Sequence, residues 1–428
     1  TVEFSLTDGI NGAVSKTATT TVSYFIPPAS SGDSTNTGNP NVNTETFDGV
    51  DVEKEVITDA QGATTSRLVI GPISANRQED ANTDNKDQAD IPLRREADGT
   101  AAVTVALPTG VGLAAEGNDS AQTVSEGLDN LIKLIDETAS DTEEAADKAN
   151  ILSGTQRFLA ELLTPDQSGE QTTEQPKLWI NKLTLNINEN SAPDKPIVVT
   201  GNNEATTGSN NGSNTSTTGD NSKAALVIDA TKLPEGTKLE LKDVEFAVII
   251  GPATITGGEG QNKVYAGAGN QTIILGPDDD ELYGGDGNDT VGSKGGDDKL
   301  FGQNGNDTLF GGAGKDTLHG GRDIDTVTYE GNQADYDIIQ SNGILTVTRK
   351  DDASDSDTLI NVENIQFADG NYLATYDTGM KALATLYQNI FERQADLDGI
   401  QYWATEQKNA MKLGQIAVDL IRSNEYQQ

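Results

Sequence analysis

The nonapeptides GGDGNDTVG (284–292), GQNGNDTLF (302–310) and GGAGKDTLH (311–319) decide the fold. They belong to a register running over 257–328. Starting from Ile255 just ahead of it, Val264, Ile273, Leu282, Val291, Leu300, Leu309, Leu318 and Val327 recur at a constant spacing of nine. Phe246 reads as one further step upstream. Two places before the aliphatic residue, from Asp280 onward, each unit has an acid: Asp280, Asp289, Asp298, Asp307, Asp316 and Asp325. Glycine falls mostly on the first, second and fourth places.

This pattern has a direct physical reading. Around each aliphatic residue a short strand points one side chain inward, and a Gly-rich turn then reverses the chain, because glycine alone readily takes φ > 0. Two nonapeptides make one coil of a parallel β-roll, so units n and n+2 stack on the same edge. One edge stacks Asp280, Asp298 and Asp316; the other stacks Asp289, Asp307 and Asp325. Carboxylates would then lie one strand spacing apart, roughly 4.8 Å, and would repel unless a hard cation lay between them. Asp oxygens and turn carbonyls form the oxygen-only shell that Ca²⁺ prefers. The predicted metal site therefore comprises those six Asp with Gly285, Gly287, Gly296, Gly305, Gly312 and Gly314, holding three or four Ca²⁺. The second edge is the better formed, with Asp289/Asp307 its best pair. On the first, Pro277 and Asp278 disturb the turn before Asp280, and Lys294 stands where glycine is usual. Asn262 and Gln271 replace the acid upstream, so those coils are expected to hold no ion.

The repeat resembles the RTX (repeats-in-toxin) family, whose nonapeptide is a calcium-binding β-helix repeat. The resemblance implies a secreted bacterial protein, exported through a type I secretion channel with its C-terminal region leading and folding on calcium outside. Downstream, 329–375 reads as a β-cap of three strands, as a solenoid needs to cover its last coil. "DTLINVENIQFADG" is its most recognisable part, and "DDASDSD" reads as a solvated turn. Residues 376–428 have helical periodicity at Leu383, Leu386, Tyr387 and Ile390 and again at Ile416, Val418, Leu420 and Ile421. This segment resembles the DUF4214 family through Leu386-Tyr387, Arg393, Asp396, Gly399, Tyr402-Trp403 and Ser423-x-Glu425-Tyr426. Tyr402 and Trp403 read first as packing residues.

Upstream, 1–26 alternate as a β-hairpin and resemble the end of an immunoglobulin- or cadherin-like repeat. Residues 27–46 are a Pro/Ser/Thr/Asn linker. A middle region, 47–245, holds strands at "RLVIGPI", "AAVTVALP", "KLWINKLTLNI", "PIVVTG" and "AALVIDA". A helical insert at about 121–163 shows Val124, Leu128, Leu131, Ile132 and Ile135 at helical spacing, with a second helix at 145–163. A polar low-complexity loop spans about 201–222. The fold class is thus mainly β and multidomain: a β-roll (246–328), its cap, a β-rich middle region with two helices and a small α-helical C-terminal domain.

Composition narrows the function. The 428 residues hold 68 acids against 29 bases, a formal charge of −39, one His and no Cys. Without Cys there is no disulfide framework, zinc knuckle or thiolate catalysis. Such acidity repels nucleic acid and anionic lipid. No apolar run approaches the roughly 18–20 residues of a membrane span. The sequence starts at Thr1 with neither Met nor a leader and is read as a fragment or processed form. H-E-x-x-H and G-x-S-x-G are absent, and the single His319 closes a nonapeptide, where exposure is expected. No enzymatic activity is therefore expected. The leading reading is a calcium-binding extracellular structural or adhesive protein, a surface adhesin or a layer- or filament-forming protein. The alternative is a module in 47–250 or the C-terminal helical domain that binds glycan or protein, and behind it stands a fragment of a secreted hydrolase.

Overall fold

A computed structural model describes residues 42–58, 64–78, 87–95, 101–118, 122–139, 177–187, 192–201, 222–341, 344–373, 382–383, 386, 397–408 and 411–422. The N-terminal hairpin, the second helix at 145–163 and most of the polar loop lie outside these residues. Two sheets, of 15 and 11 strands, face each other along one axis. In the repeat region the chain alternates between them. Glu281–Asp286, Lys299–Asn304 and Thr317–Arg322 run in the larger sheet, and Thr290–Gly292, Thr308–Phe310 and Thr326–Thr328 in the smaller.

The pairing is parallel with the register the repeat requires. Leu282 lies opposite Leu300 and Leu300 opposite Leu318, while Val291 lies opposite Leu309 and Leu309 opposite Val327. Unit n therefore pairs with unit n+2. All six of these aliphatic side chains are 0% exposed and lie in one core between the sheets. Each full burial contributes about 1.5–3 kcal/mol.

The parallel stack is longer than the nonapeptide run. It begins with Lys177–Ile187, Ser222–Asp229 and Phe246–Ile250 in the larger sheet, and with Ile197–Gly201 and Lys238–Lys242 in the smaller. Antiparallel strands close the stack at both ends. At one end these are Val42–Phe47, Val50–Thr58, Thr64–Ile70 and Val111–Asn118, with Gln88–Arg95 and Ala101–Pro108 facing them. The first of these strands starts within the segment read as a linker.

At the other end five strands follow Thr328, not the three expected. Ser356–Ile360 and Asn364–Phe367 continue the two parallel ladders; Tyr336–Ser341, Ile344–Arg349 and Gly370–Leu373 add antiparallel edges. The hairpin of 336–349 is inserted between the last repeat and the coil that covers it, so the cap is partly a further turn of the roll.

Phe246 corrects the sequence register. Opposite Val264 stands Ala247, while Phe246 pairs with Lys263. A slip of one residue sends a strand side chain to the other face, and Phe246 accordingly packs outside the sandwich with Leu131, Ile135, Leu178, Ile180 and Tyr265. Helix Val124–Ala139 covers this outer face. Its start is stapled by Thr123, whose Oγ donates to Glu126 and accepts the Glu126 N–H, and its Leu131 and Ile135 are fully buried.

Further along the same face the ninth-position residues stack as rings. Tyr265 and Tyr283 are 4.4 Å apart and Tyr283 and Phe301 4.5 Å, each pair within 7° of parallel, with His319 6.1 Å beyond Phe301. His319 is 0% exposed, against the expectation of exposure, because its strand lies beneath the cap strand that carries Ile360. Ile360 and Ile344 in turn pack against Leu383, Ile416 and Leu420 of the C-terminal segment. Helices Leu397–Lys408 and Leu413–Ile421 belong to that segment. Trp403 packs there too, whereas Tyr402 is exposed. Both ring nitrogens of His319 are buried without a partner, and burial lowers its pKa to about 3. His319→Phe is therefore expected to stabilise the protein by about 1–2 kcal/mol, since an unsatisfied buried polar group costs about 1–3. Thermal melting checks this; an unchanged or lower Tm would refute it.

Candidate metal centre

Each turn delivers its sixth-position Asp to the inside of an edge, and the coil above holds it there. The Asp280 N–H donates to Asp298 Oδ1 (2.6 Å) and the Asp298 N–H to Asp316 Oδ1 (2.9 Å) on the first edge. On the second, Asp289 N–H donates to Asp307 Oδ1 (2.8 Å) and Asp307 N–H to Asp325 Oδ1 (2.9 Å). The two predicted stacks are thus formed, each with one carboxylate oxygen engaged by backbone. All six Asp are at most 3% exposed.

The other oxygen is the informative one. Oδ2 of Asp289, Asp298, Asp307, Asp316 and Asp325 is buried and accepts no hydrogen bond. Burial is the largest cause raising these carboxyls, to about 8 for Asp289, about 7 for Asp298 and Asp307 and about 9 for Asp325; Asp316 also rises. A buried anion with a free lone pair is costly unless a cation or a proton meets it.

The space beside each free oxygen is bounded by backbone. A Cβ added to Gly284 would sit 2.9 Å from Asp289 Oδ2 and 2.7 Å from the Gly302 carbonyl oxygen of the next coil. A Cβ on Gly302 would likewise overlap Asp307 Oδ2 and the Gly320 carbonyl oxygen. Side-chain carboxylate and backbone carbonyl from successive coils therefore border one cradle, which only glycine leaves open. Hard, all-oxygen and anionic, this donor set fits Ca²⁺. Among the described residues no three acidic or His side chains converge on one point, so carbonyls must supply most of any shell.

The predicted glycines shape the turns. Gly285, Gly287, Gly296, Gly305, Gly312 and Gly314 all have φ between +94° and +139°. Asp280 differs from the other five Asp, because its Oδ2 accepts the Gly276 N–H at 3.1 Å within its own Pro-containing turn. Asn262 and Gln271, at the acid position upstream, turn their amides to the Val244 and Gly267 carbonyls instead.

Three features escaped the sequence reading. Gly302, Gly311 and Gly320 face the free oxygens directly, signalled only by being first-place glycines. Asp357 stacks on the first edge, its Oδ1 accepting the Asp316 N–H. It is 1% exposed, unlike the rest of the "DDASDSD" run read as solvated, where Asp352 caps its own turn through Ser354. The signal was the Asp357-Thr358-Leu359 triplet, which repeats Asp316-Thr317-Leu318. Glu363 stacks on the second edge, accepting the Asp325 N–H at 2.9 Å.

Residues 256–291 and 293–327 match the family model of the RTX calcium-binding nonapeptide repeat. Residues 380–428 match a domain of unknown function, DUF4214. No curated protein and no solved structure shows a significant match to the chain. The chain therefore carries RTX calcium-binding repeats followed by a DUF4214 domain, and its strands are mostly those of a parallel β-roll.

Proposed function

We propose that this chain is a calcium-dependent structural part of a secreted bacterial surface protein, whose β-roll completes its folding only where calcium is abundant. The observation that carries the reading is the set of five buried carboxylate oxygens with no hydrogen-bond partner, spaced coil by coil along two edges. Asp289, Asp307 and Asp325 with the carbonyls between them would hold ions on the second edge, and Asp298 and Asp316 on the first. Three or four Ca²⁺ follow, the fourth depending on Asp280. Bound calcium supplies positive charge between like-charged coils, and ion binding is then linked to folding.

In a compartment with little calcium the repeats repel one another, which suits passage through a type I secretion channel. Outside, sites of roughly 0.1–1 mM affinity, typical of extracellular modules, fill and the roll closes. The role is structural or adhesive rather than catalytic. Cell-surface glycan or a second copy of the chain are the partners this reading allows. No helix among the described residues is long and apolar enough to cross a membrane.

A calcium titration followed by far-UV circular dichroism tests the proposal. The β signal is expected to grow with a midpoint near 0.1–1 mM, and Asp307→Asn should raise that midpoint several-fold. A signal indifferent to calcium would remove the folding role.

A further inference from the structure

We infer that the second edge carries one more cation site than the nonapeptides encode, at the junction of roll and cap, formed by Asp325, Asn361 and Glu363. The inference rests on the calcium reading of the repeats and extends it to residues outside the matched segment, which ends at residue 327.

The geometry of the second edge recurs three times. Gly284 lies between Asp289 Oδ2 and the carbonyl oxygen of Gly302, and Gly302 between Asp307 Oδ2 and that of Gly320. Gly320 is placed alike: a Cβ on it would lie 2.5 Å from Asp325 Oδ2 and would overlap the carbonyl oxygen of Asn361. Asn361 thus takes the first-place position of a coil that has no nonapeptide. It does so at φ +53°, a left-handed conformation uncommon for a side-chain-bearing residue. The structure accepts that conformation at a buried position, 3% exposed, where Asn361 Nδ2 donates to the Gly321 carbonyl and Oδ1 is buried without a partner. Asp325 is 0% exposed and its Oδ2 is also unpartnered. The junction thus holds two buried side-chain oxygens lacking any donor, and the Asn361 carbonyl oxygen borders the same glycine as Asp325 Oδ2.

Glu363 completes the pattern. Its Oε2 accepts the Asp325 N–H at 2.9 Å, as Asp325 Oδ1 accepts that of Asp307 at 2.9 Å. The turn is three residues shorter than a nonapeptide turn, since Asn361 and Glu363 replace the Gly320 and Asp325 places. The extra methylene of Glu over Asp suits that shorter approach. The first edge ends differently. There Asp357 Oδ2 accepts the Tyr329 hydroxyl at 2.8 Å, so a hydrogen bond closes the ladder where the second edge leaves oxygens free. With oxygen donors alone and carboxyls from two coils, the ligand is a hard divalent cation, calcium being the fit.

Calcium bound per full chain, measured by equilibrium dialysis at about 1 mM free ion, tests the inference. Glu363→Gln is expected to bind one ion fewer than the unaltered chain, with its circular dichroism unchanged. An unchanged ion count in Glu363→Gln, while Asp307→Asn loses ions, overturns this site and leaves the repeat reading standing. A chain that binds no calcium overturns both. Should Glu363→Gln not fold, crystals of the unaltered chain grown in calcium decide. Ion density between Asp325 and Asn361 supports the site, and its absence beside an occupied Asp289/Asp307 turn refutes it.

Discussion

Removing calcium at pH 8 is expected to abolish the β-roll's circular dichroism, and lowering the pH to about 5 without calcium is expected to restore much of it. The folded-state pKa values of about 7 for Asp280, about 8 for Asp289 and about 9 for Asp325 lie far above the roughly 3.9 of an exposed Asp. Desolvation is the largest cause in each. The calcium-free folded roll therefore binds more protons than the unfolded chain and gains stability as pH falls. That contribution is fully present below about pH 4 and is lost as pH rises through about 7 to about 9. His319 opposes it, because its lowered pKa costs stability only as pH drops below about 6.5. One opposing ring against the six raised repeat Asp and Asp357 leaves the acid effect dominant between pH 8 and 5. On the proposed reading protons and calcium would serve the same buried oxygens, and a calcium-free chain equally folded at pH 8 and pH 5 would contradict this.

Gly305→Val is expected to destabilise the calcium-loaded roll by about 2–5 kcal/mol. Gly305 has φ +120° and a Cβ there would overlap the Gly287 carbonyl oxygen of the neighbouring coil. The left-handed backbone costs a side-chain-bearing residue about 1–2 kcal/mol. Overpacking adds about 1–3, and here the clash is with backbone, which cannot rotate away. Gly110→Ala separates the two terms. Gly110 has φ +87° but nothing within 4 Å of an added Cβ, so it should lose only about 1 kcal/mol. Thermal or denaturant unfolding in calcium reads both. Equal losses in the two variants would show that coil spacing is not what glycine protects.

The sequence made the roll legible where its spacing is constant. Leu282, Leu300 and Leu318 are 18 residues apart and lie opposite one another, and a fixed period announces both the coil and the two acid edges. The coils on either side are of the same architecture but different length. Leu183 and Ile228 are paired across 45 residues, Leu226 and Ala247 across 21, and Leu318 and Leu359 across 41. Inserted segments, such as the hairpin of 336–349, erase the period without disturbing the ladder, so strands such as Lys177–Ile187 read only as strands. Phe246 misled for the complementary reason. The coil joining Ala247 to Val264 is one residue short, and arithmetic by nines lands on the outward-facing neighbour. His319 followed the repeat faithfully, yet its exposure depended on the cap strand laid over it, which no local pattern encodes. Asp357 and Glu363 were hidden by the same hairpin that shifts Leu359 out of phase.

The stacking of coils along a single axis also sets how the molecule would answer a pull. Strand-to-strand hydrogen bonds and the cradles between turns both bridge successive coils, so tension applied through the two ends of the sandwich loads them one after another rather than side by side. The weakest junction gives first and the rest stay closed. Each nonapeptide coil that opens pays out 18 residues, about 60 Å of extended chain. A sandwich built this way would lengthen in discrete increments, and an ion held between two turns would raise the force at which that pair of coils parts.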